Sequence, residues 1–178
     1  LENEVASIDT DRNEITAPRT ILDIPVLEFV EQFTLRDVVL YSKILPSEVI
    51  TLEFSKKSKD RRAPNALAAI HMFNKVVNWF VGMIMHSKAL EMRTQMLSRL
   101  VEIAHCALTH EIPNYNLVIC ISAALGNSTI YRLKTTWSHL SEHHKNCMSL
   151  ISEETSAEYS FAKLRKRMAN NDIAMPYL

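Results

Sequence analysis

Leu117-Val-Ile-Cys-Ile-Ser-Ala-Ala-Leu125, followed by Asn127-Ser-Thr-Ile-Tyr-Arg-Leu-Lys-Thr-Thr-Trp137, is the stretch that decides the fold. The first segment has almost no polar face, so a helix built from it must be covered on all sides. Gly126 interrupts it, and Asn127 and Ser128 then offer side-chain oxygens to the first free N–H groups of a new helix. Ile130, Leu133 and Trp137 recur at spacings of three and four, which puts them on one inward face of that helix. A buried rod that ends in a Gly-Asn corner and hands over to an amphipathic helix brings the corner to a surface. Such corners are where contacts with partners are made.

Upstream of the rod, Asn65 begins the longest predicted helix. Leu67, Ile70, Phe73, Val77, Phe80 and Ile84 form one stripe, and Val76, Trp79 and Met83 a second beside it, so this helix is expected to be packed on both sides. A further helix over 89–109 turns Leu90, Leu97, Leu100, Val101, Ala104 and Leu108 inward, and Pro113 separates it from the rod. Nearer the N-terminus, Asp23 is read as the cap of a first helix with Pro25 in its first turn. Thr34 is read as the cap of a second, with Leu35, Val38, Val39, Tyr41 and Ile44 as its buried stripe. Pro46 ends that helix, and Pro46-Ser47-Glu48 starts a short one. Ser55-Lys-Lys-Ser-Lys-Asp-Arg-Arg62, with five cations and one anion, is a basic loop; contact with acidic lipid is the alternative, and with no amphipathic helix beside it the loop is read as a solvated connector. Residues 1–19 are polar and are read as a linker or flanking tail. A short helix around 146–151, a basic one around 158–168 and an extended end complete the chain.

With 178 residues, 47% apolar and 22% charged, the chain has globular composition and length for one core. Twenty basic and twenty acidic side chains leave no net field to steer it toward nucleic acid. Two glycines are too few for a hairpin-rich β fold, whose tight turns need φ > 0, so the expected class is all-α. Cys106, Cys120 and Cys147 are odd in number and far apart, which fits reduced thiols rather than a disulfide frame. No signal peptide and no uninterrupted apolar stretch of bilayer length is evident, so the expected compartment is the cytoplasm, with recruitment to membranes as a further expectation.

The side chains with chemistry in them do not assemble into a familiar site. His139 and His143 lie one helical turn apart with His144 and Glu142 nearby, a spacing compatible with a zinc pair, but the surrounding segment is polar throughout and a third ligand is missing. His105-Cys106 with His110 offers a thiol and a base, yet Cys106 sits mid-helix with no evident oxyanion donors. No glycine-rich phosphate loop occurs, so neither metal, cofactor nor directly bound nucleotide is expected.

Asn127-Ser-x-Ile-Tyr-Arg-Leu-Lys-x-Thr-Trp137, preceded by Asn114-Tyr-Asn116, resembles the signature of the RasGEF domain, the catalytic domain of Ras-family guanine-nucleotide exchange factors. Thr34-Leu-Arg-Asp-Val-Val-Leu-Tyr41 through Pro46-Ser-Glu48 is similar to that family's early helix pair. Ala63-Pro-Asn65 through Phe73-Asn-Lys-Val76 and Trp79 is similar to its Phe-Asn-Lys-Val helix. The resemblance implies an orthogonal all-α bundle over residues 20–178, and a regulator of a small GTPase that does no covalent chemistry. Family members grip the switch II segment of a Ras-like GTPase in a hydrophobic pocket and stabilise its nucleotide-free state, which by linkage weakens the nucleotide by the same factor. Carried over position by position, the GTPase-binding residues would be Ile70, His71 and Asn74 on the long helix, Ile119 on the rod, Gly126 and Asn127 at the corner, Tyr131, Phe161 and Tyr177. Gly126 stands where many members have Asn. Family domains also continue into a helical hairpin that opens switch I, so these residues are expected to form a partial domain with weak exchange of its own. The alternative is an inactive scaffold or adaptor on the same bundle.

Overall fold

In the computed structural model, which describes residues 20–177, ten α-helices and no β-strand are found among those residues. They are α1 (Val26–Tyr41), α2 (Pro46–Ile50), α3 (Lys59–Arg62), α4 (Pro64–His86), α5 (Leu90–Thr109), α6 (Tyr115–Leu125), α7 (Ser128–Tyr131), α8 (Lys134–Ser138), α9 (Glu142–Glu154) and α10 (Ala162–Ala169). The linker reading of residues 1–19 lies outside the described residues.

The all-apolar run becomes α6, and the bundle is built around it. It packs against α4 on one side and α5 on the other, and α5 in turn carries α1 and α9. Leu117, Val118, Ile121, Ala124 and Leu125 are buried, as are Leu97, Leu100, Val101, Ile103 and Leu108 of α5. Each fully buried aliphatic of this size contributes roughly 1.5–3 kcal/mol, so the two helices anchor the fold. Asn114 starts α6 by accepting the Leu117 N–H at 2.8 Å.

α4 has the length and mean apolar composition that a membrane crossing needs, although its apolar run is not uninterrupted. His71, Asn74, Lys75 and Asn78 interrupt its surface, and its apolar face packs on α1, α5 and α6.

Its start explains two of the sequence motifs. Pro64 is at its first turn, and Ala63, the residue before it, has no side-chain oxygen to cap the free N–H groups. Glu48, buried in α2, does this instead: its carboxylate accepts the Ala66 N–H at 2.8 Å and the Asn65 side-chain amide at 2.8 Å. Burial alone would raise the Glu48 carboxyl, but the hydrogen bonds from Ala66, Asn65 and Leu45 outweigh it and hold the group below its ordinary value of 4.5. A lowered carboxyl stabilises the fold above the unfolded-state value and loses that contribution as pH falls through the folded one. Glu48→Gln is therefore expected to melt earlier than the parent chain at neutral pH, with the gap closing as pH drops below 4.5. Thermal melts followed by circular dichroism across that range check this; a gap that is independent of pH would contradict it.

Several expectations are corrected. α1 runs unbroken from Val26 to Tyr41, because Thr34 does not cap a new helix; its hydroxyl donates to the Val30 carbonyl at 2.8 Å, one turn back. Leu35, Val38 and Val39 are exposed rather than buried, and Asp37 is the α1 residue that turns into the interior there. The signature segment is two short helices, α7 and α8, separated at Arg132 and Leu133. Its inward face survives the break: Ile130 is fully buried, and the Trp137 indole N–H donates to the Ile130 carbonyl at 2.9 Å. α9 is longer than the predicted 146–151, since Ser141 caps it by accepting the His144 N–H. The basic stretch 55–62 is partly helical, as α3.

Candidate functional site

On one side of the bundle a hollow of about 350 Å³ opens between α4, α6, the end of α1 and the C-terminal segment. Ile70 and Asn74 come from successive turns of α4, Ile119 from α6, and Phe161 and Tyr177 from the chain around α10 and beyond it. Five of the nine residues singled out from the sequence thus border one cavity. Ile70 and Ile119 are half-buried and open to the hollow, and Ile119 packs on the core beneath it.

Two of these residues need special backbone. The segment carrying Tyr177 is pinned to the start of α6: the Tyr115 N–H donates to the Met175 carbonyl at 2.9 Å, and the Met175 N–H to the Pro113 carbonyl at 2.8 Å. Phe161 follows Tyr159 and Ser160 in a run of three left-handed residues, with φ of 49°, 57° and 60°. Without glycine, each such residue costs roughly 1–2 kcal/mol. The run turns the Phe161 ring onto Tyr177, edge to face, at 5.8 Å between centroids. α10 is held by Lys163 paired with Glu153, by Arg167 with Glu154 at 3.4 Å, and by Leu164, which is fully buried. The pairing raises the Lys163 ammonium and lowers the Glu153 carboxyl, each through the hydrogen bond to the other. Leu164 thus ties the basic helix to the core.

The hollow also has a polar wall. The Tyr41 hydroxyl donates to Asn116 Oδ1 at 2.9 Å, and Asn116 Nδ2 donates to Asp37 Oδ2 at 3.0 Å. Asn114 Nδ2 donates to the same Asp37 oxygen at 3.2 Å, while Arg36 Nη2 donates to the other at 2.6 Å. Tyr41 and Asn116 lie within motifs quoted above, but nothing in the sequence marked them as lining residues.

The remaining candidates lie elsewhere. Gly126 and Tyr131 border a second hollow, of about 430 Å³, with Trp137, Met148 and Thr155. Asn127 caps α7 by accepting the Thr129 N–H at 3.0 Å. His71 is exposed on α4 and does not border the first hollow. Asn116 and Ile119 line the first hollow and Ser122 and Gly126 the second, and their spacing of three to four residues puts all four along one edge of α6. The two hollows are therefore neighbours along that edge. Tyr131 is 61% exposed, with the Lys134 ammonium 3.7 Å above its ring, and so offers an aromatic face beside a cation.

The histidines and cysteines do not form a site of their own. The His139 ring lies on the Thr135 carbonyl, His143 near Cys147, and His144 on Glu102 of α5 at 3.0 Å, each on a different partner. Among the described residues no three metal-ligating side chains converge. Burial, aided by the Glu31 carboxylate, pushes the Cys106 thiol up, and burial pushes Cys120 up to about 12; an activated nucleophile needs the reverse.

A family model described as the RasGEF domain matches residues 28–178. The chain belongs to the RasGEF family. It is 33% identical over 159 residues to Ras guanine nucleotide exchange factor A of Dictyostelium discoideum, covering 89% of this chain and 26% of that protein. It is 30% identical over 160 residues to the human Ras-specific guanine nucleotide-releasing factor RalGPS2, covering 89% of this chain and 27% of the relative. Mouse Ras-specific guanine nucleotide-releasing factor 2 matches at 33% over 154 residues, 85% of this chain and 13% of its own length. The chain thus spans about a quarter or less of each of these three RasGEF relatives. The all-α bundle agrees with the RasGEF expectation.

Proposed function

We propose that this RasGEF chain grips a Ras-family small GTPase through the paired hollows along α6, taking the mobile switch II segment into the first. The observation that carries the reading is the convergence of Ile70, Asn74, Ile119, Phe161 and Tyr177 on one open cavity. An apolar floor, two aromatic anchors and a polar wall are the composition of a protein-binding hot spot. The second hollow, with Tyr131 and Lys134 at its rim, extends the grip past the Gly126 corner.

The mechanism is differential binding rather than bond chemistry, so no side chain has to be activated and no cofactor is called for. A partner bound more tightly without its nucleotide loses nucleotide affinity by the same factor. Driving such an equilibrium from 1:99 to 99:1 takes roughly 5.5 kcal/mol of differential affinity, more than one hollow of this size supplies. These 178 residues on their own are therefore expected to capture a GTPase but to release its nucleotide slowly.

The test is a pull-down of purified Ras-family GTPases, each with nucleotide removed and each loaded with GDP, alongside fluorescent-nucleotide release. Capture of at least one GTPase, stronger in the nucleotide-free form, is the expected result. Capture of none would replace this reading with that of a scaffold on the same bundle, and fast release by the isolated chain would overturn the expectation of weak exchange.

A further inference from the structure

We propose that the α2–α3 corner is a docking surface for an anionic membrane, separate from the α6 hollows and independent of any GTPase. On the sequence alone the basic stretch is read as a solvated connector over contact with acidic lipid, for want of an apolar face beside it; the structure gives it an apolar neighbour. Glu48 points inward to cap α4, so Ile50, two residues on, faces away from the bundle and is 79% exposed. Leu52, two residues past the end of that helix, is 55% exposed. Its φ of 51° is left-handed, a conformation that favours glycine or asparagine and that costs a leucine stability. An aliphatic side chain held out in water on strained backbone adds nothing to the core.

A 3-10 turn over Glu53–Ser55 packs against both α2 and α3, which brings the cations beside these two aliphatics. The cations divide into two sets. Lys56, at 3.0 Å, and Arg62, at 3.5 Å, turn back onto the Glu53 carboxylate and hold the corner together. Lys57, Lys59 and Arg61 are exposed and make no ion pair with any described residue; Asp60 is the one anion between them. Unpaired cations flanking protruding aliphatics match the interface of a bilayer with acidic headgroups: the aliphatics enter the headgroup boundary while the cations meet the negative surface. A protein partner for this corner would need an acidic rim around an apolar pocket, whereas an acidic bilayer presents both features over its whole surface.

The experiment is co-sedimentation of the purified chain with vesicles of phosphatidylcholine alone and of phosphatidylcholine with phosphatidylserine, in the absence of GTPase. Binding is expected to the phosphatidylserine vesicles and to weaken with added salt. Near such a surface each cation strengthens binding roughly fivefold, so K57E/K59E/R61E is expected to reduce it at least tenfold. Ile50→Ser with Leu52→Ser should reduce it too, while the charge reversal R165E/K166E on α10 should leave it intact. The substituted side chains are exposed, and circular dichroism confirms that each variant is folded. No vesicle binding, equal binding to both vesicles, or loss with the α10 variant alone would overturn the proposal. So would self-association abolished by Ile50→Ser in a chain that ignores vesicles, since the corner would then be a protein interface. GTPase capture by K57E/K59E/R61E should be unchanged, which separates this outcome from that of the α6 hollows.

Discussion

Asp37→Ala is expected to remove about 3 kcal/mol of folding stability, more than any other single change outside the apolar core. Asp37 is fully buried in the middle of α1 and is the acceptor at the centre of a network that joins α1 to the start of α6. Its truncation leaves the Asn116 amide inside the protein with a donor and no acceptor, at roughly 1–3 kcal/mol, and leaves the Asn114 amide only the Thr34 hydroxyl, at 3.1 Å. Arg36 suffers less: its side chain is one-third exposed and keeps its place over the Phe33 ring, 4.1 Å from the centroid. Arg36→Ala should therefore cost only about 1 kcal/mol. Asp37→Asn should be the milder change, because its amide oxygen can still accept from both Asn114 and Asn116, while its NH2 group would face only the Arg36 guanidinium. Urea denaturation checks the ordering, read as a shift of midpoint at unchanged slope. Equal losses for the Asp37 and Arg36 variants would mean that the buried network is not what joins these helices. The same substitution should weaken GTPase capture, because Asn116 passes the constraint on to Tyr41 and so to the wall of the first hollow.

This network also shows where a single sequence stops being informative. α4, α5 and α6 are legible because apolar residues at helical period, or without any polar interruption, leave one way to bury them. The corner at Gly126 is legible because an all-apolar run must end at a residue that can leave the helix. Asp37 is not legible: a charge in an amphipathic segment is normally on the wet face, and the amides that reverse this lie 77 and 79 residues away. The misplacement of Leu35, Val38 and Val39 follows from the same cause, since turning Asp37 inward turns these aliphatics outward. Thr34 misled for another reason, because a hydroxyl that caps a helix and one that bonds back by a turn look alike in sequence. Among the candidate site residues, Ile70, Asn74, Ile119, Phe161 and Tyr177 border one hollow, while His71 stands outside it. What places Phe161 was hidden: a left-handed run without glycine or asparagine leaves no signature in residue type.

That run makes Phe161→Gly the sharper of the two tests of the proposed grip. At φ 60° and ψ 41° a phenylalanine is strained and a glycine is not, so the substitution recovers roughly 1–2 kcal/mol. Against this it loses the edge-to-face contact with Tyr177, worth about 0.5–1.5 kcal/mol, and part of a half-buried ring. The two terms nearly cancel, and the melting temperature should move little. Phe161→Ala keeps the strained backbone while losing the same ring, so it should be the less stable of the two variants. For binding the order differs. Both variants remove an aromatic anchor from the wall of the hollow, and a hot-spot side chain of this kind is worth at least about 2 kcal/mol, or roughly thirtyfold in Kd. Titration of the captured nucleotide-free GTPase against each variant measures that loss, and thermal melts measure stability on the same samples. A glycine variant that keeps its fold and loses the GTPase supports an interface role. If it instead unfolds while binding scales only with the folded fraction, Phe161 is a core residue, and the grip on the GTPase has to come from the Tyr131 side of α6.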